Sequence, residues 1–249
     1  MMSEKKISVM IQARTGSSRL PGKVLSGIEN KPMIWHVINR VKKIKSVQQI
    51  ALITTKEKSD KVLLDIAENE GIIGFTGDTK DVLNRYYQCA QKISADPIIR
   101  ITSDCPVIDP YLIEEMLQFF LKNDFDYVSN IHPATYPDVL DAEIFSFQTL
   151  EKTALSAKLN SEREHVTPYI EKHPELFKIY NFENNTDLSQ IRLTVDQKED
   201  LKLIQKIYSL MSPKNDFRLN EILDLISKNP KLLKINSKYK RNEGYLKSL

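Results

Sequence analysis

A short basic segment near the N-terminus has the composition of a phosphate-binding loop. Residues 13–23, ARTGSSRLPGK, contain two arginines, one lysine, three hydroxyl side chains and two glycines, and they follow an apolar stretch that predicts a strand. Backbone N–H groups in such a loop can surround phosphate oxygens, and arginine can bind those oxygens in a bidentate manner. The motif GxGxxG is absent, and GxxxxGK[ST] needs a different spacing. An ordinary surface loop is the alternative interpretation.

Two aspartates stand where strands are expected to end. Asp104 follows a predicted strand over 97–102, and Asp196 ends a second predicted strand over 191–195. If both strands belong to one sheet, the two carboxylates can converge at its carboxyl edge, where open α/β sheets bind their ligands. Mg²⁺ commonly takes one or two protein carboxylates together with phosphate oxygens. The alternative for each residue is an aspartate in a turn or at a helix entry.

The elements that must position these residues alternate along the chain. Apolar patterns predict strands at 7–11, 50–54, 72–75 and 97–102, separated by helices at 31–44, 59–70, 81–93 and 110–122. This order predicts an α/β fold with a mainly parallel sheet flanked by helices. The second half is less regular, with a loop at 129–141, strands at 142–147 and 191–195, and helices at 148–158, 162–172, 198–211 and 220–227.

Composition excludes several classes of protein. With 41% hydrophobic residues in 249, the chain can form a core, so global disorder is not expected. No apolar run approaches the 18 or so residues of a membrane-spanning helix, and no signal peptide is evident. The two cysteines form no disulfide framework, so we expect a cytoplasmic protein. Residues 231–249 carry six basic side chains against one acidic side chain, but nothing else favours a polynucleotide partner, and a solvated tail is expected.

The basic loop and five later segments together resemble the nucleotidyltransferases that make CMP-activated acidic sugars, such as the CMP-Kdo and CMP-sialate synthetases. The likeness is closest to the branch described as spore coat polysaccharide biosynthesis protein F. The later segments are TGDTKDVLNRYY at 76–87, RITSDCPVIDP at 100–110, YPDVLDAEIF at 136–145, SEREHVTPYI at 161–170 and LTVDQKEDL at 193–201. This resemblance implies a Rossmann-like fold of the glycosyltransferase-A type, with CTP as co-substrate.

The resemblance also implies the nucleotide-binding residues. Asp104 and Asp196 match the family's two magnesium-holding aspartates, so Mg²⁺ is the expected cofactor. The residues expected to act in catalysis are Arg14, Lys23, Asp104 and Asp196. The residues expected to bind the nucleotide are Ala13, Arg14, Gly16, Ser17, Arg19, Lys23, Arg85 and Thr102. For Arg85 the alternative is an exposed arginine on a helix.

The acceptor is expected to bind between about residues 129 and 192. Tyr136, Asp138, Asp141 and Glu143 belong to a predicted loop and the strand after it, where carboxylates can hydrogen-bond sugar hydroxyls. Arg163, His165 and Arg192 would serve an anionic acceptor, although a charged helix start explains the first two equally well. Val139 stands where the family pattern often has glycine, so the acceptor loop is expected to differ from that of relatives.

The predicted activity is cytidylyl transfer from CTP to a hydroxyl of an acidic sugar or related acid, with release of pyrophosphate, in surface polysaccharide biosynthesis. The nucleotidyltransferase domain is predicted at 1–211, followed by a helix and basic tail at 212–249. Relatives are often dimers, so a homodimer is an expectation. Three alternatives stay open: transfer to a phosphorylated alcohol or sugar, glycosyl transfer from a preformed nucleotide sugar, and nucleotide binding without catalysis.

Overall fold

A seven-stranded sheet forms the centre of the molecule. The computed structural model describes residues 5–241. Its strands are β1 (Lys6–Gln12), β4 (Gln49–Thr55), β5 (Ile73–Gly77), β6 (Ala95–Thr102), β7 (Tyr127–Ser129), β8 (Glu143–Phe145) and β9 (Ile179–Asn181). A separate two-stranded ribbon pairs β2 (Gly27–Ile28) with β3 (Lys31–Pro32). The sheet order is β5-β4-β1-β6-β8-β7-β9.

The sheet is mainly parallel, as the alternation of strands and helices predicts. β5, β4, β1 and β6 are parallel neighbours, and Val9 of β1 lies in register with Ile50 on one side and Ile99 on the other. β8 runs antiparallel to both of its neighbours, whereas β7 and β9 pair in parallel. The carboxyl ends of β1 and β6 therefore lie side by side, which brings the residues after Gln12 close to those after Thr102.

Helices cover both faces of the sheet. They are α1 (Met33–Val41), α2 (Lys61–Asn69), α3 (Val82–Ile93), α4 (Pro110–Lys122), α5 (Phe147–Ser156), α6 (Asn160–His165), α7 (Pro168–Lys172), α8 (Lys198–Met211) and α9 (Leu219–Lys228). Val9 and Ile11 of β1 belong to the core cluster shared with α1, α2, α4 and α8, whereas Met10 belongs to the cluster shared with α3, α5 and α7. This alternation is the period of two that a strand buried on both faces requires.

Local signals explain where several helices begin and end. Asp81 caps α3 by accepting the Asn84 N–H at 3.0 Å, and Asp109 caps α4 by accepting the Tyr111 N–H at 2.9 Å, with Pro110 in the first turn. Gly71 follows α2 with a φ of +64°, a left-handed conformation that glycine adopts without steric strain.

The second half departs from the sequence-based expectations. The strand predicted over 191–195 is wrong, because within residues 5–241 this segment forms only an isolated bridge, between Arg192 and Asp138. The helix predicted over 162–172 is two short helices, because Val166 has a φ of +77° and Pro168 cannot continue the hydrogen-bonding of α6. β7 and β9 were missed, since three residues carry too little periodicity to predict a strand.

The C-terminal region packs onto the main body of the protein. Phe217 is fully buried in the larger core cluster, and its carbonyl accepts a hydrogen bond from Arg40 of α1 at 3.0 Å. The basic tail predicted up to residue 249 lies partly outside the described residues. No helix among residues 5–241 combines the length and the apolar composition that crossing a membrane requires.

Candidate active site

A polar cavity of about 470 Å³ opens at the carboxyl ends of β1 and β6. This is the edge at which open α/β sheets bind ligands. Residues from the basic loop, the end of β6, the 138–141 loop, α6 and the 192–196 segment line it. The cavity thus brings most of the residues predicted from the sequence into one place. These are Ala13, Arg14, Ser17, Arg19, Lys23, Arg85, Thr102, Asp104, Asp138, Asp141, His165, Arg192 and Asp196.

The Lys23 side chain joins the two predicted metal carboxylates. Its Nζ lies 3.0 Å from Asp104 Oδ2 and 2.8 Å from Asp196 Oδ1, and it also donates to the Val195 carbonyl at 2.9 Å. Burial opposes a charged ammonium, but the two carboxylates raise the pKa of Lys23 above its ordinary value. Arg19 adds a second cation, with Nη2 2.6 Å from Asp196 Oδ1. Burial would raise the pKa of Asp196, but Lys23 and Arg19 lower it to about 2.

The basic loop is held in shape by a residue far away in the sequence. Asp60, which follows β4, accepts the Thr15 N–H at 2.7 Å and the Thr15 hydroxyl at 2.6 Å, and it also accepts the Thr55 hydroxyl at 2.5 Å. Gly22 has a φ of +69° and returns its N–H to the Thr15 carbonyl at 3.0 Å, so the loop needs glycine there. Hydrogen bonds within the protein therefore hold the loop in this conformation without a ligand.

Asp196 reaches Asp104 through backbone pairing outside the sheet. The Val195 N–H donates to the Asp104 carbonyl at 2.9 Å, which fixes the two segments side by side. Asp200 is fully buried and accepts the Asp196 N–H at 3.0 Å. Arg192 binds Asp200 with Nη2 to Oδ2 at 2.9 Å and lies 3.5 Å from Asp196. These contacts orient Asp196 towards Lys23.

Arg85 lines the cavity, and two of its hydrogen-bond donors have no partner among residues 5–241. Its side chain is only 1% exposed, and both Nε and Nη1 are buried without a hydrogen bond. It is therefore not an exposed helical arginine, and burial lowers the pKa of its guanidinium. Gly77 permits this position, because a Cβ at residue 77 would lie 2.8 Å from Arg85 Cγ and 3.3 Å from Arg85 Cα. Buried unpaired donors in a cavity favour a ligand that accepts hydrogen bonds.

Two further carboxylates that line the cavity already pair with arginines. Asp138 accepts from Arg192 Nη1 at 3.1 Å, and burial together with Asp141 raises the pKa of Asp138 to about 7. Asp141 pairs with Arg241, and burial raises its pKa despite that arginine. Burial lowers the pKa of His165, so the neutral imidazole is favoured near pH 7.

Four predicted site residues do not line the cavity. Glu143 is the first residue of β8 and pairs with Arg100 across the sheet, with a further hydrogen bond from the Tyr127 hydroxyl at 2.8 Å. Arg163 turns away because Asp81 holds its Nη2 at 2.7 Å. Tyr136 is packed in the core cluster, and Gly16 is exposed on the outer side of the loop.

The sequence interpretation also missed residues that do line the cavity. Gln12 and Arg100 point into it, and each has a buried side-chain atom without a partner, Gln12 Oε1 and Arg100 Nε. A signal was present, because Arg100 and Thr102 alternate along β6 and so share one face of the sheet. A charged side chain inside an otherwise apolar strand is a further indication of a site. Cys105, Glu164 and Thr194 also line the cavity.

Comparisons with known proteins show which family the chain belongs to. The cytidylyltransferase family model matches residues 8–235. The chain belongs to the cytidylyltransferase family. An uncharacterized protein of Methanocaldococcus jannaschii is 39% identical over 93% of this chain and 95% of its own length. The spore coat polysaccharide biosynthesis protein SpsF of Bacillus subtilis is 30% identical over 90% of this chain and 95% of its own length.

Solved structures of cytidylyltransferases share the fold. A cytidylyltransferase from Leptospira borgpetersenii has a TM-score of 0.89 and 33% identity, with 92% of this chain and 97% of that chain covered. A CMP:2-keto-3-deoxy-manno-octonic acid synthetase solved with CTP has a TM-score of 0.62 and 20% identity, with 84% and 99% covered. The resemblance to this family and the Rossmann-like fold predicted from the sequence are confirmed, and the protein is an enzyme of the nucleotidyltransferase class.

Proposed function

We propose that this cytidylyltransferase transfers CMP from CTP to a hydroxyl of an acidic sugar or related acid in surface glycan biosynthesis. The observation that carries the proposal is the convergence of Lys23, Asp104 and Asp196 in a cavity that also contains the unpaired Arg85 donors. The family match, the CTP bound in the synthetase of similar fold and the name of the Bacillus subtilis relative support it.

The basic loop provides the groups for a triphosphate. Arg14, Ser17 and Arg19 line the cavity beside Lys23, so they can bind phosphate oxygens and offset the charge that develops on departing pyrophosphate. In the transfer, the acceptor oxygen forms a bond to the α-phosphorus, the bond from that phosphorus to the α–β bridging oxygen breaks, and the hydroxyl proton passes to water. Holding both substrates in one cavity accounts for part of the rate.

The two aspartates fit a magnesium site that needs phosphate ligands. Their carboxylate oxygens converge on one cation, the Lys23 ammonium, so the donor set suits a positive charge at this position. Among residues 5–241, no group of three or more His, Cys, Asp or Glu side chains could hold a metal ion. Two carboxylates with nucleotide phosphates are a usual ligand set for Mg²⁺. Bound there, Mg²⁺ would polarise the α-phosphate and neutralise charge on the phosphates.

The acceptor is proposed to bind beside Asp138, Asp141 and His165. Asp138 and Asp141 can hydrogen-bond sugar hydroxyls, and the protonated form of Asp138 can also donate. An acceptor carboxylate would be received by neutral His165 and by Arg192, which would exchange one of its aspartate partners for the ligand. Val139 is only 1% exposed, so it shapes the loop by packing and leaves the contacts to Asp138 and Asp141.

The test is a pyrophosphate-release assay with each NTP, Mg²⁺ and a panel of acidic acceptors, with mass spectrometry of the product. CMP-linked acids are expected. Preference for ATP or GTP would reject cytidylyl transfer. Release of pyrophosphate only with sugar phosphates would favour a phosphorylated acceptor. Consumption of a preformed nucleotide sugar without release of pyrophosphate would favour glycosyl transfer. CTP binding without turnover would favour a nucleotide-binding module without catalysis.

The metal assignment has its own variant. Asp104→Asn removes one anionic ligand but keeps the size of the side chain, so turnover should fall by orders of magnitude while the melting temperature stays close to that of the wild type. Asp65→Asn is a suitable control, because Asp65 is exposed on α2. Near-normal Mg²⁺-dependent turnover in Asp104→Asn would show that Asp104 is not a metal ligand.

A further inference from the structure

The ammonium of Lys23 has no hydrogen-bonding capacity left for a ligand. A lysine ammonium has three N–H donors. In Lys23 these three donors meet three acceptors, Asp104 Oδ2 at 3.0 Å, Asp196 Oδ1 at 2.8 Å and the Val195 carbonyl at 2.9 Å. The side chain is only 12% exposed. Lys23 therefore cannot bind a phosphate from this position without giving up at least one of these partners.

The position of the ammonium is also the position that the metal requires. The two carboxylates that would hold Mg²⁺ are the two that hold Lys23. An ion that bridges Asp104 Oδ2 and Asp196 Oδ1 would have to lie where Lys23 Nζ now lies, and repulsion between like charges is poorly screened in this largely buried site. Arg19 does not take the same place, since among the described residues its ion pair is with Asp196 alone.

We propose that Lys23 is a built-in counter-ion that occupies the metal position between Asp104 and Asp196 until nucleotide binds. It then moves to the nucleotide phosphates and gives the two carboxylates to the divalent cation. This inference rests on the proposed function, because it assumes that a metal–nucleotide complex enters the cavity. It adds that the metal and Lys23 exclude each other and that metal affinity depends on the nucleotide.

The partners available to the Lys23 ammonium differ with and without nucleotide, and this difference explains why metal binding depends on the nucleotide. Without nucleotide, a metal at the carboxylates would leave the largely buried ammonium with only the Val195 carbonyl, which is unfavourable for a charge. With nucleotide, phosphate oxygens replace the lost carboxylates. By linkage, the nucleotide must then strengthen metal binding by the same factor as the metal strengthens nucleotide binding, and couplings of this kind are typically about 5- to 150-fold.

The test measures Mn²⁺ binding by electron paramagnetic resonance, with no acceptor present. Lys23→Met keeps the length of the side chain and removes its charge. Without nucleotide, this variant should bind Mn²⁺ about 5- to 150-fold more tightly than the wild type. Saturating CTP should increase the Mn²⁺ affinity of the wild type by a larger factor than that of Lys23→Met, whose carboxylates are already free.

Three further variants locate the effect. Lys42→Met removes a lysine that pairs with Glu70 far from the cavity, and it should leave Mn²⁺ affinity unchanged. Arg19→Met should give a smaller gain than Lys23→Met, because Arg19 contacts only one of the carboxylates. Adding Asp104→Asn to Lys23→Met should abolish the gain, which would place the ion at this carboxylate.

The proposal is overturned if Lys23→Met, without nucleotide, binds Mn²⁺ no more tightly than the wild type. It is also overturned if the gain persists when Asp104 is replaced. Lys23→Gln, measured in parallel, guards against a folding defect in the Met variant, and thermal melting of both shows whether the fold is retained. Because no turnover is measured, failure to find an acceptor would refute the proposed function and leave this result standing.

Discussion

Gly77→Ala should displace Arg85, with one effect on the stability of the fold and another on CTP binding. A Cβ at residue 77 would lie 2.8 Å from Arg85 Cγ, 3.0 Å from its Cβ and 3.3 Å from its Cα. Ordinary contact between carbon atoms is about 3.5–4.0 Å. The end of β5 and the first turns of α3 must therefore separate by roughly 0.5 Å or more, and rotation of the Arg85 side chain cannot relieve the contact with Cα.

The expected loss of stability follows from this overlap. Overpacking costs about 1–3 kcal/mol, and replacing glycine by alanine returns about 0.4–1 kcal/mol through the unfolded state. The net loss, about 1.3 kcal/mol at the middle of these ranges, should lower the melting temperature by about 3–5 °C in a domain of this size. The displaced guanidinium should also weaken CTP binding by about 10- to 160-fold, since one hydrogen bond to a charged group contributes about 1.5–3 kcal/mol.

Thermal melting and calorimetric titration with CTP measure the two effects independently. Gly27→Ala is the matched control, because no heavy atom lies within 4 Å of the Cβ that it would add. Equal melting temperatures for Gly77→Ala and the wild type would refute the packing argument. A lower melting temperature with unchanged CTP affinity would support the packing and refute the role of Arg85 in nucleotide binding.

Two further predictions concern buried aspartates. Asp60→Ala should destabilise the fold by about 1–3 kcal/mol and raise the KM for CTP, because Thr15 loses its acceptor. Chemical denaturation measures the stability and steady-state kinetics measure the KM, with the exposed-site variant Asp65→Ala as control. The same stability and KM in both variants would contradict the prediction. Burial raises the folded-state pKa of Asp138 to about 7, so the folded state holds a proton that the unfolded state has released between about pH 4 and pH 7. The free energy of unfolding should therefore fall as pH rises through this window. Denaturation curves at pH 5 and pH 7.5 measure the fall, which should be smaller in Asp138→Asn than in the wild type. An equal fall in both proteins would show that Asp138 is not the cause.

Most of the first half of the fold could be predicted because its signals are local. The strands at 7–11, 50–54 and 97–102 and the helix that starts at Pro110 are confirmed, since their apolar periods and caps lie within each segment. β7 and β9 could not be predicted, because each has three residues and owes its place to pairing with distant strands. Their pairing partners are fixed by the packed sheet rather than by their own sequences.

The candidate site shows the same division. The loop at 13–23 and Asp104 could be found from residue types that follow a strand. The turning of Arg163 towards Asp81, 82 residues away in the sequence, could not be foreseen from either segment alone. Asp60 gave no signal either, because its role is to accept hydrogen bonds from Thr15, 45 residues before it. The apolar periodicity of the sequence does not predict polar contacts between segments that are distant in the chain.

Asp196 lies close to Asp104 as predicted, although the strand predicted to carry it does not form. The residue pattern predicts Asp196 at the end of a sheet strand, yet the 191–195 segment lies outside the sheet. Its carboxylate still meets Asp104, because the Val195 N–H binds the Asp104 carbonyl and Asp200 fixes the Asp196 backbone. Three backbone hydrogen bonds, two with Asp138 and one with Asp104, hold the 191–195 segment outside the sheet. In the proposed exchange, Lys23 leaves the Asp196 carboxylate while these backbone contacts stay in place.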